Sequence, residues 1–161
     1  MTTALFVGRF QPFHLGHLKA VRKILQENDS LVIAIGSCQA SRTAEDPFSF
    51  EERRDMITAA LRKDGVTRFR IIGVPDCMND HKWVCSIQEQ ASFDRVYTTN
   101  PWTIRCFQKK HIPVIEHEMY DRERYNATGI RRRMASGEEW ESLVPAKIAE
   151  FIKQRAVCTG I

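Results

Sequence analysis

Several features that would move this chain out of the ordinary globular class are missing. Its apolar runs are only a few residues long, far from the roughly 20 residues of a membrane span. The opening TALFVG is too short for a signal-type segment and has no basic stretch ahead of it. The expectation is a cytoplasmic protein that uses no membrane. Cysteine is scarce and odd in number (Cys38, Cys77, Cys85, Cys106 and Cys158), with no C-x-x-C pair. Neither a zinc site nor a disulfide framework is indicated, and reduced structural thiols are expected. Excess charge is small, +4 over 161 residues, which does not argue for a nucleic-acid partner. Repeats, low-complexity tracts and linkers are absent. One domain over 1–161 is expected, long enough for a sizeable core.

What is present is a regular alternation. Short apolar runs at 4–8, 31–36, 69–74, 95–99 and 112–117 are rich in β-branched or aromatic residues and read as buried strands. Helical patterns fill the gaps at 15–27, 50–63, 82–91 and 102–109. The segment 128–156 reads as two helices broken near Ser136-Gly137, with Pro145 opening a third piece. Strand and helix repeated four times predicts an α/β fold whose parallel sheet is doubly wound and covered on both faces. The expected division is a core over 1–125 and a small C-terminal helical segment over 126–161. In such folds ligands bind beyond the carboxyl ends of the strands.

Directly after the first strand comes GRFQPFHLGH, Gly8 to His17. Pro12 cannot continue a central strand, so the chain leaves the sheet by Gln11-Pro12. His14 and His17 then stand near a helix N-terminus, three apart and on one side. Gly16 between them has no side chain to block a close ligand. Free N–H groups and partial positive charge at such a terminus suit phosphate, and two imidazoles add donors. The bland alternative is a capped helix start with two surface histidines. Arg9, Lys19 and Arg22 near this motif, and the cluster Arg131, Arg132 and Arg133, fit a small anionic ligand better than a long polyanion.

His14-Leu15-Gly16-His17 is an HxGH signature, and the chain resembles the nucleotidyltransferase superfamily that shares it with class I aminoacyl-tRNA synthetases. The superfamily's second motif, (S/T)-x-T-x-x-R, is matched by Asn126 to Arg131 in YNATGIRRRM, with Thr128 and Arg131 in register and Asn126 where serine is more usual. The alternative there is a capped basic amphipathic helix. More narrowly the chain is similar to the archaeal-type nicotinamide-nucleotide adenylyltransferases. The resemblance runs from about residue 3 to 152 and rests on GRFQPFHLGH, IGSCQAS, DPFSFEER, HKWV, FDRVYTTNP and RRRM with EEWESLVP. YTTNP departs from the family's YSGNP. Asp80 stands where many members have asparagine, and Asn79 is its neighbour.

The resemblance implies a Rossmann-like fold and transfer of AMP from ATP to nicotinamide mononucleotide (NMN), giving NAD and pyrophosphate. The attacking phosphate monoester is mostly ionised at neutral pH, so no general base is needed. Catalysis reduces to holding two anions together and stabilising the leaving group. By resemblance His14, His17 and Arg131 are catalytic. Gly8, Arg9, Phe10, Gly16, Asn100, Thr128 and Ile130 bind ATP and its phosphates. Trp83, Asp80, Asn79, Gly36 and Ser37 bind NMN. Trp83 also reads as an ordinary core tryptophan. Arg42, in the polar loop SRTAEDP, reads either as closing over phosphate or as a solvated loop charge. His81, His111 and His117 read as non-catalytic, and Glu51 to Arg54 as a solvated helix start, although Arg53 fits the ER pair of the family it resembles. Mg²⁺ or another divalent cation is expected on the substrate phosphates, with no protein ligand set. Relatives imply a homo-oligomer, often a hexamer. Two alternatives stay open: the same chemistry on FMN or phosphopantetheine, and a non-catalytic nucleotide-binding regulator.

Overall fold

The computed structural model describes residues 1–117 and 120–159, with side chains through 156. Five strands form a parallel sheet: β1 (Thr3–Gly8), β2 (Ser30–Ile35), β3 (Phe69–Gly73), β4 (Arg95–Tyr97) and β5 (Val114–Ile115). They lie in the order β3-β2-β1-β4-β5. Phe6 of β1 faces Ile33 of β2 on one side and Tyr97 of β4 on the other. The chain runs outward from β1 to one edge and then returns to build the other. The reversal lies between β1 and β4, where doubly wound folds place a ligand crevice.

Alternation along the strands sorts the core into two layers. Ala4, Phe6, Leu31, Ile33, Ile35 and Tyr97 face one side, with α1 (Leu15–Glu27), α2 (Phe50–Lys63), α5 (Ala127–Ser136) and α6 (Ala146–Thr159) packed on it. Leu5, Val32, Ala34, Ile72 and Val96 face the other, covered by α3 (Asp80–Gln90) and α4 (Pro101–Gln108). Both faces are therefore buried, as the unbroken apolar strands predict.

Helices α1 and α2 occupy the residues read from the sequence. α3 and α4 start slightly earlier than expected because asparagines cap them. The Asn79 side chain accepts from the Lys82 amide, and Asn100 accepts from that of Thr103. β4 and β5 are shorter than expected. Thr98 and Thr99 leave the sheet to line a cavity. In the tail, Gly137 takes φ 76° to end α5, a conformation that suits glycine. Pro145 directly precedes α6, as read, and a 3₁₀ turn (Glu141–Leu143) lies between. Ile130 of α5 and Ile148 of α6 pack into the same core layer as Phe6. Among the described residues no helix is long and apolar enough to cross a membrane. Cys38, Cys77, Cys85 and Cys106 are free thiols; the Cys158 side chain lies outside the described residues.

Candidate active site

A cavity of about 540 Å³ opens at the carboxyl ends of β1, β2 and β4. The first turns of three helices border it: His14, Gly16 and His17 of α1, Asn100, Trp102 and Thr103 of α4, and Asn126, Ala127 and Thr128 of α5. Each N-terminus brings partial positive charge. Arg9, Arg122 and Arg131 add full charges. Asp76 is the carboxylate among the described lining residues, so the cavity favours an anion.

The histidine pair is built by an unusual cap. His14 is the N-cap of α1, and the two residues close a reciprocal capping box. The His14 amide donates to His17 Nδ1 at 3.1 Å, and the His17 amide donates to His14 Nδ1 at 3.4 Å. Their rings stack with centroids 3.6 Å apart. An amide can only donate, so both Nδ1 atoms must be acceptors, and a neutral ring then carries its proton on Nε2. Burial lowers the His14 pKa to about 4. Burial, then the charges of His14 and His117, hold His17 well below the usual histidine range. Phe10 meets His17 edge-on at 4.9 Å, and Phe13 lies 5.3 Å from it. Both imidazoles are thus neutral, ordered Nε2–H donors at neutral pH.

The glycines of the motif make room for protein groups. A Cβ on Gly16 would come within 3.0 Å of the His14 ring and 3.2 Å of Tyr125. One on Gly8 would lie 2.8 Å from the Phe10 ring. The sequence reading gave Gly16 to the ligand. In the structure its missing side chain lets the imidazole pair stack, although the residue itself borders the cavity.

On the α5 side, Arg131 donates to the Gln11 carbonyl at 2.9 Å and to Thr128 Oγ1 at 3.3 Å. The second motif is thereby tied to the first across the cavity. Gln11, fully buried, clamps the Phe48 backbone with both ends of its amide. Arg9 pairs with Asp46, and burial, then the nearby Arg9 charge, lowers the Arg131 pKa from its ordinary value. Ile130 does not reach the cavity: it has no exposed surface, and its amide bonds the Asn126 carbonyl at 3.1 Å.

Toward α3 the cavity is bordered by Gly36, Ser37, Asp76, Trp83 and Trp102. Trp83 is at once a core residue and a lining residue, meeting Trp102 at 4.8 Å and Phe107 at 5.7 Å. Asn79 and Asp80 border a separate recess with Lys109. Asp80 pairs with Lys109 at 2.8 Å and is held below the usual carboxylate range by it. The carboxylate in the cavity is Asp76, which accepts from Ser37 at 2.8 Å and Gln39 at 2.7 Å. Sequence reasoning also left Gln11, Arg122, Tyr125 and His117 without a role, and all four line the cavity. Gln11 and Tyr125 carried a signal, their places inside GRFQPFHLGH and YNATGIRRRM.

Arg53 is the clearest departure. Read as part of a solvated helix start, it has no exposed surface. The mixed charges of EERR conceal that one of them points inward. Arg42 does lie at the surface, paired with Glu52.

Among the described residues no cluster of three or more His, Cys, Asp or Glu is placed to hold a metal.

Comparison with known proteins adds the following. The model of the cytidylyltransferase-like family matches residues 5–133. A nicotinamide-nucleotide adenylyltransferase of Thermoplasma volcanium is 42% identical over 152 residues, covering 94% of this chain and 85% of its own. One from Archaeoglobus fulgidus is 43% identical over 157 residues, covering 94% and 90%. Among solved structures, a bifunctional NMN adenylyltransferase/ADP ribose pyrophosphatase from Francisella tularensis has a TM-score of 0.85 at 24% identity, matching 97% of this chain. This chain spans about half of that enzyme's length, 50%. The same kind of enzyme from that organism, solved with AMP and a manganese ion, matches 89% of this chain with a TM-score of 0.77 and 27% identity.

Proposed function

The chain belongs to the cytidylyltransferase-like family and within it to the nicotinamide-nucleotide adenylyltransferases, and from that premise we propose how its cavity joins AMP to NMN. One observation carries the reading. Two neutral histidines, locked as Nε2–H donors, share one cavity with Arg9, Arg131 and three helix N-termini.

A phosphate oxygen of NMN attacks the α-phosphorus of ATP. The bond from that phosphorus to the bridging oxygen breaks, and pyrophosphate leaves with the electron pair. The nucleophile is already an anion, so no side chain has to take a proton. His17 and His14 donate to phosphoryl oxygens near the centre under attack. Arg9, Arg131 and Thr128 hold the leaving phosphates, with Arg122 beside them. Each such donor is worth about 10²–10³ in rate. Donation by neutral imidazoles requires no proton to be returned after the step. Asn100 and Thr98 border the adenosine end. Trp83 and Trp102 offer faces to the cationic pyridinium, with Gly36, Ser37 and Asp76 around it. A divalent cation bound to the substrate, Mg²⁺ in our reading, would supply charge neutralisation of the triphosphate, and phosphate oxygens and water would hold it.

The test is pyrophosphate release and NAD formation from ATP and Mg²⁺. Acceptors are NMN, nicotinic acid mononucleotide, FMN and phosphopantetheine. Release with a pyridine mononucleotide, abolished in His17→Ala, is the expected result. Release only with FMN or phosphopantetheine would overturn the acceptor. Binding of ATP with no release would leave a regulator.

A further inference from the structure

Arg53 lies on α2 with no exposed surface. A guanidinium has five N–H donors in a rigid plane and no acceptor. Here each of the five finds a main-chain carbonyl. Nη1 donates to Arg9 at 2.9 Å and to Gly36 at 3.0 Å. Nη2 donates to Ser37 at 3.1 Å and to Ala40 at 3.5 Å, and Nε to Ser49 at 3.2 Å. Among the described residues none of its hydrogen bonds goes to a carboxylate.

Burying a cation with no ion pair is costly. The carbonyls belong to the loops that leave β1 and β2 on the cavity side. One nitrogen, Nη1, already bridges the two loops, and the planar fork fixes its direction by adding Ser37, Ala40 and Ser49. Those loops are also joined by the Gly36 amide on the Gly8 carbonyl at 2.8 Å, by the Arg9–Asp46 pair and by Gln11 on the Phe48 backbone. On the reading given above, Arg9 stands on the triphosphate wall, while Gly36 and Ser37 stand on the acceptor wall. Of the links between these loops, the Arg53 side chain is the one that bonds the Arg9, Gly36 and Ser37 carbonyls directly.

We propose that Arg53 is a positioning residue that fixes the spacing of the two walls, so that it acts on the alignment of ATP with NMN and not on the binding of either. The inference rests on the adenylyltransferase reading. In-line attack requires the two reacting atoms at near-contact distance, and an error of about 1 Å costs on the order of 100-fold.

Arg53→Lys keeps the charge but has three donors, leaving at least two of the carbonyls unserved. For NAD formation we expect kcat to fall about 100-fold. KM for ATP and for NMN should each stay within threefold, with cooperative melting retained. In Arg53→Ala, guanidinium ion should restore kcat where sodium at equal ionic strength does not. A fall in kcat below tenfold, a KM that rises as far as kcat falls, loss of cooperative melting, or no guanidinium rescue in the folded variant would each overturn the proposal. Wild-type protein that makes no NAD would defeat the adenylyltransferase reading itself; active wild type with an unaffected Arg53→Lys defeats only this one.

Discussion

His17 and Trp83 line the same cavity from opposite faces of the sheet, and they are held in opposite ways. His17 is fixed locally, by a cap that closes over three residues and by Phe10 and Phe13 of its own loop. Trp83 is fixed from afar, by Trp102 and Phe107 of the next helix. The histidine wall is pre-ordered, neutral and dense with donors. The tryptophan wall is an apolar slot whose single carboxylate, Asp76, is exposed and held by Ser37 and Gln39. A pre-ordered donor wall suits transition-state charge, whereas a slot suits recognition. Losses on the first side should therefore appear in kcat and on the second in KM.

The sharpest way to break this contrast is His17→Ala. It should lower kcat about 10²–10³-fold with a much smaller change in KM for NMN, measured by pyrophosphate release. A loss confined to KM would remove the distinction between the walls.

Next is acid. The folded-state pKa of His14 is about 4, below its unfolded value, so the unfolded chain binds the extra proton between the two. Stability is full above the unfolded pKa, near 6.5, and falls as pH drops toward 4. The loss is about 2 kcal/mol from His14 at pH 5. His17 shifts the same way and adds to it. Urea melts at pH 7 and pH 5 check this, and His14→Gln should flatten the difference.

On the other wall Trp102, 37% exposed, can be removed with little harm to the core. Trp102→Ala should raise KM for NMN about tenfold, on the order of the 0.5–2 kcal/mol of a cation over an aromatic face, with kcat within threefold. Steady-state kinetics at saturating ATP decide it. The smallest effect is expected from Asp76→Asn. Removing the negative charge should improve nicotinic acid mononucleotide relative to NMN by roughly threefold to tenfold, the about 1 kcal/mol of two charges near a protein surface. An unchanged ratio of kcat/KM would place the pyridine ring away from Asp76.

The same contrast explains what could be read in advance. The histidine wall was legible because its residues, its cap and its strand all lie within fifteen positions, Thr3 to His17. On the tryptophan wall, Trp83 was found, but the polar partner was sought at Asn79 and Asp80. Those two are drawn off by the start of α3 and by Lys109, and the cavity takes Asp76 from the loop before them. Arg53 was legible as the arginine of an ER pair, but its inward turn was not, for a similar reason. Its five acceptors are carbonyls on three segments, and carbonyls have no sequence signature.

The sequence by itself determined the strand–helix alternation, the parallel doubly wound sheet, the crevice after β1 and the two motifs that border it. These follow from periodicity, caps and proline, which act between residues a few positions apart. Tertiary structure alone decided which charges turn inward, what the motif glycines make room for, and which carboxylate enters the cavity. Those outcomes depend on contacts such as Arg131 to Gln11, 120 positions apart, where burial and hydrogen-bond satisfaction select among side chains that look alike in the linear chain.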